Sequence, residues 1–307
     1  MNENFDSVLM NEQTEAGSQP QQVKPEPFDR AAYAARKRSE RDECYCLADV
    51  TAEKVASSAE LYAAYLNVQA RYNRYSVNNA LLLTAQYPKA TKLATFEEWR
   101  KNGAQIAKGS KGIMLLEPGK EYLRADGSTG TNFRVKKVFD ISQTDAPPLT
   151  AEIHRDQRLL MKALIHNAPC RLAFDDALPA GVQAQYKPDS RTVFVRHGLE
   201  GDDMFRALAR ELAFAHLDKG DGFSRTGCEF RAKSIAFLVC ARNHIAAEAV
   251  VVPASYSNLE AKAFKKELQQ INEVANTMHG NMEQVLGKQQ RDQTPQKTAN
   301  TDHRDAR

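Results

Sequence analysis

"RALARELAFAHLDKG", residues 206–220, is the stretch on which the reading of this chain turns. Phe205, Leu208, Leu212 and His216 recur at helical spacing, so the segment is expected to be an amphipathic helix over roughly 201–218. Just before it, "VQAQYKPDSRTVFVR" (182–196) alternates as a hairpin does, turned at Pro188-Asp189-Ser190. A helix following a hairpin makes this half α+β rather than all-helical. The same stretch poses a chemical question. Two imidazoles at i and i+4, with a glutamate after the first, would hold a metal on one helix face. Here those positions are Arg210 and Phe214 around Glu211. Arginine offers no lone pair and phenylalanine no ligand atom. His216 projects toward the core side of the helix, away from Arg210 and Phe214.

Outward from that helix, "CRLAF" (170–174) is a further short strand, and amphipathic helices are expected near 150–167, 227–243 and 257–286. Thr226 with Glu229, and Ser257 with Glu260, look like capping boxes. Glu229 and Lys233 stand at i,i+4 and suit an ion pair. The polar "SQTDAPP" (142–148) separates this half from the first. That first half is helical from "DRAAYAARKRSERDE" (29–43) through "VNNALLLTAQYP" (77–88), and "TFEEW" (95–99) opens a short helix with a Thr95/Glu98 capping box. The period then turns extended, with "GIMLLEP" (112–118) a strand and 120–142 a hairpin around Asp126-Gly127. The expected domains are 28–145 and 146–287, between unstructured tails at 1–27 and 288–307. The fold class is α+β: one mixed helix and β-hairpin domain, and one mainly helical domain with a small sheet.

At 307 residues and 42% apolar content the chain can build real cores. No apolar run reaches membrane-spanning length, and the acidic, Gln-rich start lacks the basic and apolar regions of a signal peptide, so a cytoplasmic protein with no membrane partner is expected. Five scattered cysteines give no disulfide framework and no paired zinc knuckles. The net charge of +3 hides an uneven distribution: Arg71 to Lys111 holds eight basic residues against Glu97 and Glu98, a local +6.

That basic segment interleaves cations, rings and amides, the mixture that grips a single-stranded polynucleotide. The candidate contacts are Arg71, Tyr72, Arg74, Tyr75, Ser76, Asn78, Asn79, Gln86, Trp99, Lys108 and Lys111. Trp99 follows a cap and reads first as a core anchor, and Asn78 and Asn79 could equally cap a helix. "KGSKG" (108–112) lacks the spacing of a nucleotide-hydrolysing loop and reads as a tight turn with lysines facing solvent or phosphate.

The runs "YSVNNALLLTAQYPKAT" (75–91), "EWRKNGAQIAKGSKGIMLLEP" (98–118) and "KVFDISQT" (137–144) resemble the N-terminal domain of the antirestriction ArdC family of plasmids and conjugative elements. The resemblance implies single-stranded DNA binding without sequence preference. For the second half, "YKPDSRTVFVRHGL" (186–199), the helix at 206–220 and "CEFRAKSIAFLVCARNHI" (228–245) are similar in order to that family's zincin-type metallopeptidase domain. Arg210, Glu211, Phe214 and Glu229 are then relic positions of a site without its imidazole pair, no cofactor is expected, and the reading leans against an enzyme. A guanidinium, that of Arg210, is expected to stand where a metal would, beside Glu211 or Glu229. Two alternatives stay open: a metallopeptidase with Glu211, His216 and Glu229 as unusual ligands, and an interaction module for restriction or conjugation proteins using Leu259, Phe264, Leu268, Ile271, Ala275 and Met278.

Overall fold

The computed structural model describes residues 29–148, 156–220 and 222–292. The tail expected at 1–27, most of that at 288–307, and the first residues of the helix expected near 150 lie outside them. By compactness the chain divides into Met1–Arg38 and Ser39–Arg307. The described part of the first unit, residues 29–38, is exposed and is helical from Arg30 onward. The second unit holds every element described below from Ser39 onward.

The chain is α+β. Its first region runs α1 (Arg30–Ser57), α2 (Ala59–Arg71), α3 (Val77–Gln86), β1 (Leu93–Ala94), α4 (Phe96–Lys101), β2 (Ile113–Leu123) and β3 (Thr129–Asp140). Ser58, Ser76 and Thr95 each accept a backbone N–H of the first turn that follows, so three helices start where a short hydroxyl side chain sits. Thr95 and Glu98 close the expected capping box in full. The strand expected at 112–118 and the hairpin expected after it are one element: β2 and β3 pair antiparallel from Ile113↔Val138 to Leu123↔Thr129, with an irregularity between Pro118 and Glu121. The turn lies around Asp126, which caps Ser128, and Gly127, whose φ of +79° suits glycine. β1 joins β3 on its other edge, giving the order β1-β3-β2.

The second region runs α5 (Gln157–Leu164), β4 (Arg171–Phe174), β5 (Ala184–Lys187), β6 (Thr192–Val195), α6 (Gly201–Leu217), α7 (Arg225–Arg242) and α8 (Ala261–Asp292). Its sheet has the order β4-β6-β5, with β4 parallel and β5 antiparallel to β6. Two expected caps move. Ser224, not Thr226, starts α7 by accepting from Gly227 N. Ser257 belongs to a 3-10 turn, its hydroxyl donating to Ala254 O, and α8 begins at Ala261. α8 also continues to Asp292, past the expected start of a tail at 288.

Helices of both regions contribute to a common apolar core. Phe264, Leu268, Ile271, Ala275 and Met278 of α8 are buried in it together with Tyr62, Leu66, Leu81, Phe205, Leu212 and Ile235. The α8 stripe considered as a partner surface is therefore spent inside this chain. Leu259 precedes the helix and is half-buried. Tyr62 of α2 ties the regions with a polar contact as well: its hydroxyl lies 2.6 Å from that of Ser234 on α7, and its ring packs 5.2 Å from that of Phe230. The five cysteines are free thiols.

Candidate nucleic-acid interface and the Glu211 centre

The turn after α2 carries Tyr72 and Tyr75, closed by a hydrogen bond from Tyr75 N to Tyr72 O at 2.9 Å. Three residues apart across that turn, the two rings stack with centroids 5.1 Å apart and 14° between planes. The turn is held from beneath by Gln69, which is fully buried. Its Nε2 donates to Tyr72 O at 3.4 Å and Tyr75 O at 3.2 Å, while its Oε1 accepts the Tyr65 hydroxyl at 3.3 Å. Both rings are half-buried, and the Tyr72 hydroxyl is buried without a hydrogen-bond partner. Burial, with Asp140 and Tyr75 adding, pushes that hydroxyl far above the ordinary tyrosine range, so it stays neutral. Arg71 and Arg74 flank the pair and are exposed, Arg71 donating to Pro88 O. Ser76 caps α3 and also faces solvent.

The six other candidates fall into place differently. Asn79 and Gln86 lie seven residues apart, two turns along one face of α3, and both reach the outer edge of β2. Asn79 Oδ1 accepts Leu116 N and its Nδ2 donates to Leu116 O, each at 2.8 Å. Gln86 repeats this at Met114, each bond 2.9 Å. The two amides act as surrogate strand residues that pair an otherwise open edge, so they are framework groups and not base readers. Trp99 is 2% exposed and its indole N–H donates to Phe139 O at 2.9 Å, which makes it the expected core anchor and removes it as a stacking platform. Asn78 is half-buried at the start of α3. Lys108 and Lys111 are exposed on a turn in which Ser110 N bonds Ala107 O and Gly109 has φ of +88°.

Sequence reasoning missed the groups that hold this surface. Asp140, 1% exposed, accepts Thr91 N, Lys92 N, Ser142 N and the Ser142 hydroxyl at 2.6–3.0 Å, fixing the end of β3 against the loop after α3. Burial alone would raise its carboxyl; these four donors outweigh it and hold it below the ordinary range. Its sole sequence signal was an Asp-x-Ser pattern after an apolar strand. Gln69 left a fainter one, a single amide on the apolar face of α2.

In the second region Glu211 is fully buried on α6, yet it is not bare. Tyr186 N of β5 donates to Oε2 at 2.7 Å, and Arg225, the first residue of α7, forks both oxygens, Nη1 to Oε2 at 2.7 Å and Nη2 to Oε1 at 2.6 Å. The same guanidinium lies 4.1 Å above the Phe214 ring. Phe214 in turn meets Phe223 edge-on, and Phe223 meets Tyr186. A guanidinium does stand beside Glu211 as expected, but it is chiefly that of Arg225. Arg210 makes one longer contact, Nε to Oε1 at 3.3 Å, and its side chain is 29% exposed. The difference was invisible locally because the fork comes from 14 residues away.

A metal does not fit this donor set. Both oxygens of Glu211 are engaged by Arg225 and Tyr186, Glu229 pairs with Lys233 at 3.1 Å as its i,i+4 spacing suggested, and His216 is half-buried, kept below the ordinary imidazole range first by burial and then by Lys219. Among the described residues no three His, Cys, Asp or Glu side chains are placed to hold an ion. The set Glu211, His216 and Glu229 is thus not assembled. Nor, among those residues, is any helix long and apolar enough to cross a membrane.

Residues 51–145 match the family described as the N-terminal domain of anti-restriction factor ArdC. No curated protein matches the chain. Among solved structures it is similar to the crystal structure of the antirestriction ArdC protein from the R388 plasmid. The metal-free form is 17% identical, with 78% of this chain and 98% of that one covered and a TM-score of 0.49. For the Mn(II)-bound form the identity is 17%, the coverage 78% and 97%, and the TM-score 0.51; the likeness in fold rests on this one. Residues 51–145 therefore belong to the N-terminal-domain family of the anti-restriction factor ArdC, and the chain is ArdC-like in fold.

Proposed function

We propose that this chain binds single-stranded DNA without sequence preference, and that it serves a mobile genetic element as an anti-restriction factor of the ArdC kind. The observation that carries the reading is the Tyr72–Tyr75 pair. Two rings already stacked, on a turn held by buried Gln69 and flanked by exposed Arg71 and Arg74, offer a π-surface at little further cost in ordering. Lys108 and Lys111 add phosphate-neutralising charge in a segment that is six charges positive. The solved ArdC protein, similar in fold, is an antirestriction protein from a plasmid; both properties are extended to this chain as part of the proposal.

The second region acts in this account as a scaffold whose helices meet the same core. Supporting this is the Arg225 fork, which gives Glu211 a permanent partner in place of a coordinated ion. Restriction or conjugation proteins remain the partner classes such a scaffold would serve in the cytoplasm. The experiment is a titration of labelled oligonucleotides, single-stranded and duplex, against wild type and Tyr75→Ala. Tighter binding of the single strand, lost by about fivefold or more in the variant, supports the reading; equal affinity of wild type and variant counts against it.

A further inference from the structure

We infer that the bound strand does not end at the tyrosine pair but continues along one face of the β2–β3 hairpin, past Lys136, Arg134 and Asn132 to Tyr122. This rests on the single-stranded DNA reading given above. The register assigns the face. Leu115↔Lys136, Glu117↔Arg134 and Tyr122↔Gly130 are directly opposed pairs, and even-numbered residues of β3 share one side. Leu123, Phe133 and Lys137 belong to the other side.

Three features make this face a built surface and not merely an exposed one. First, the Tyr122 ring lies across the strand at Gly130: a Cβ there would fall 2.6 Å from the ring's Cζ. Glycine leaves the ring room to lie down on the sheet, and its outer side stays open, the residue being 44% exposed. Second, Arg134 and Lys136 share one carboxylate, that of Glu117, at 2.8 Å and 3.3 Å. Both side chains are drawn to the same carboxylate, and the trio of Arg134, Lys136 and Glu117 carries one net positive charge. From Thr129 to Phe139, β3 carries Arg134, Lys136 and Lys137 and no acid. Third, the hairpin is tied to the tyrosine pair: α3, whose cap Ser76 directly follows Tyr75, bonds β2 through Asn79 at Leu116, next to Glu117, and through Gln86 at Met114.

From Lys136 to the level of Tyr122 the face spans six residues, about 20 Å at the rise of a strand. A platform ring, an amide and two tethered cations in that order suit an unpaired polynucleotide, in which bases and phosphates alternate along the chain. An acidic protein segment would use the cations and have no need of the ring lying flat.

The test is fluorescence anisotropy with a labelled oligothymidylate on the full chain, comparing wild type with Tyr122→Ala, Tyr122→Phe, Gly130→Ala and Leu123→Ala. Circular dichroism melting serves as the check on folding. Tyr122→Ala is expected to weaken binding about fivefold or more, Tyr122→Phe to hold wild-type affinity, and Gly130→Ala to follow Tyr122→Ala by lifting the ring. Leu123→Ala, one residue away on the other face, is expected to change affinity by less than about twofold. Unchanged affinity in Tyr122→Ala while Tyr75→Ala loses binding overturns the hairpin path and leaves the functional reading standing. Equal losses in Tyr122→Ala and Leu123→Ala overturn the choice of face. A wild-type chain that ignores the oligonucleotide removes the functional reading and this inference with it.

Discussion

At the scale of single residues, Arg225 and Tyr72 carry opposite kinds of information. Arg225 grips both oxygens of the fully buried Glu211, so removing it leaves a carboxylate in an apolar shell. Arg225→Met is expected to cost about 3–5 kcal/mol in urea denaturation, and Glu211→Gln in the same background to recover part of it. Arg210→Ala, whose partner contact is longer and more exposed, is expected to cost less than about 1 kcal/mol. Tyr72 shows the reverse case, a buried hydroxyl without a partner. Tyr72→Phe deletes that group and keeps the ring, so it is expected to raise stability by about 1 kcal/mol in the same assay and to leave DNA binding intact. His216 sets a pH dependence. Its folded pKa lies below its ordinary 6.5, so the unfolded chain binds the extra proton first. Stability is then unaffected above that value and declines as pH falls from about 6.5 toward the folded pKa. His216→Gln is expected to flatten the decline between pH 7 and 5, measured by thermal melting.

At the scale of elements, the edge of β2 is paired by side chains of a helix. Asn79→Ala leaves the Leu116 N–H and carbonyl without partners and is expected to destabilise by about 1–3 kcal/mol, with hydrogen exchange rising at Leu116 before the rest of β2. This scale also shows what could be read from sequence and why. The α6 helix, the Thr95/Glu98 cap, and the β5–β6 hairpin were legible because each is written within a few residues: apolar spacing of 3.6, a hydroxyl three places before a glutamate, a Pro-Asp-Ser turn. The role of Asn79 was not, because its partner is 37 residues away, and an amide at a helix start serves a cap, a base or a strand edge equally well. For the same reason the Arg225 fork is hidden in the sequence, whereas Arg210 adjoins Glu211 and stands out as its partner. The α7 and α8 caps slipped by two to four positions because "SRTGCE" and "SYSNLEA" each contain more than one residue able to start a helix.

At the scale of the whole molecule, two chemistries share one core. One region presents stacked tyrosines, arginines and lysines; the other has a helix whose polar heart is closed by an internal ion pair. Tyr62 and Ser234, both fully buried, join the two. The first region is expected to grip an unpaired strand through phosphates and ring faces. The most direct measurement is the slope of log affinity against log salt for a single-stranded oligonucleotide, taken for wild type and for Lys108→Ala/Lys111→Ala. A negative slope that loses about 1–2 units in the double variant is the predicted result; an affinity indifferent to salt, or no measurable binding at low ionic strength, would contradict it.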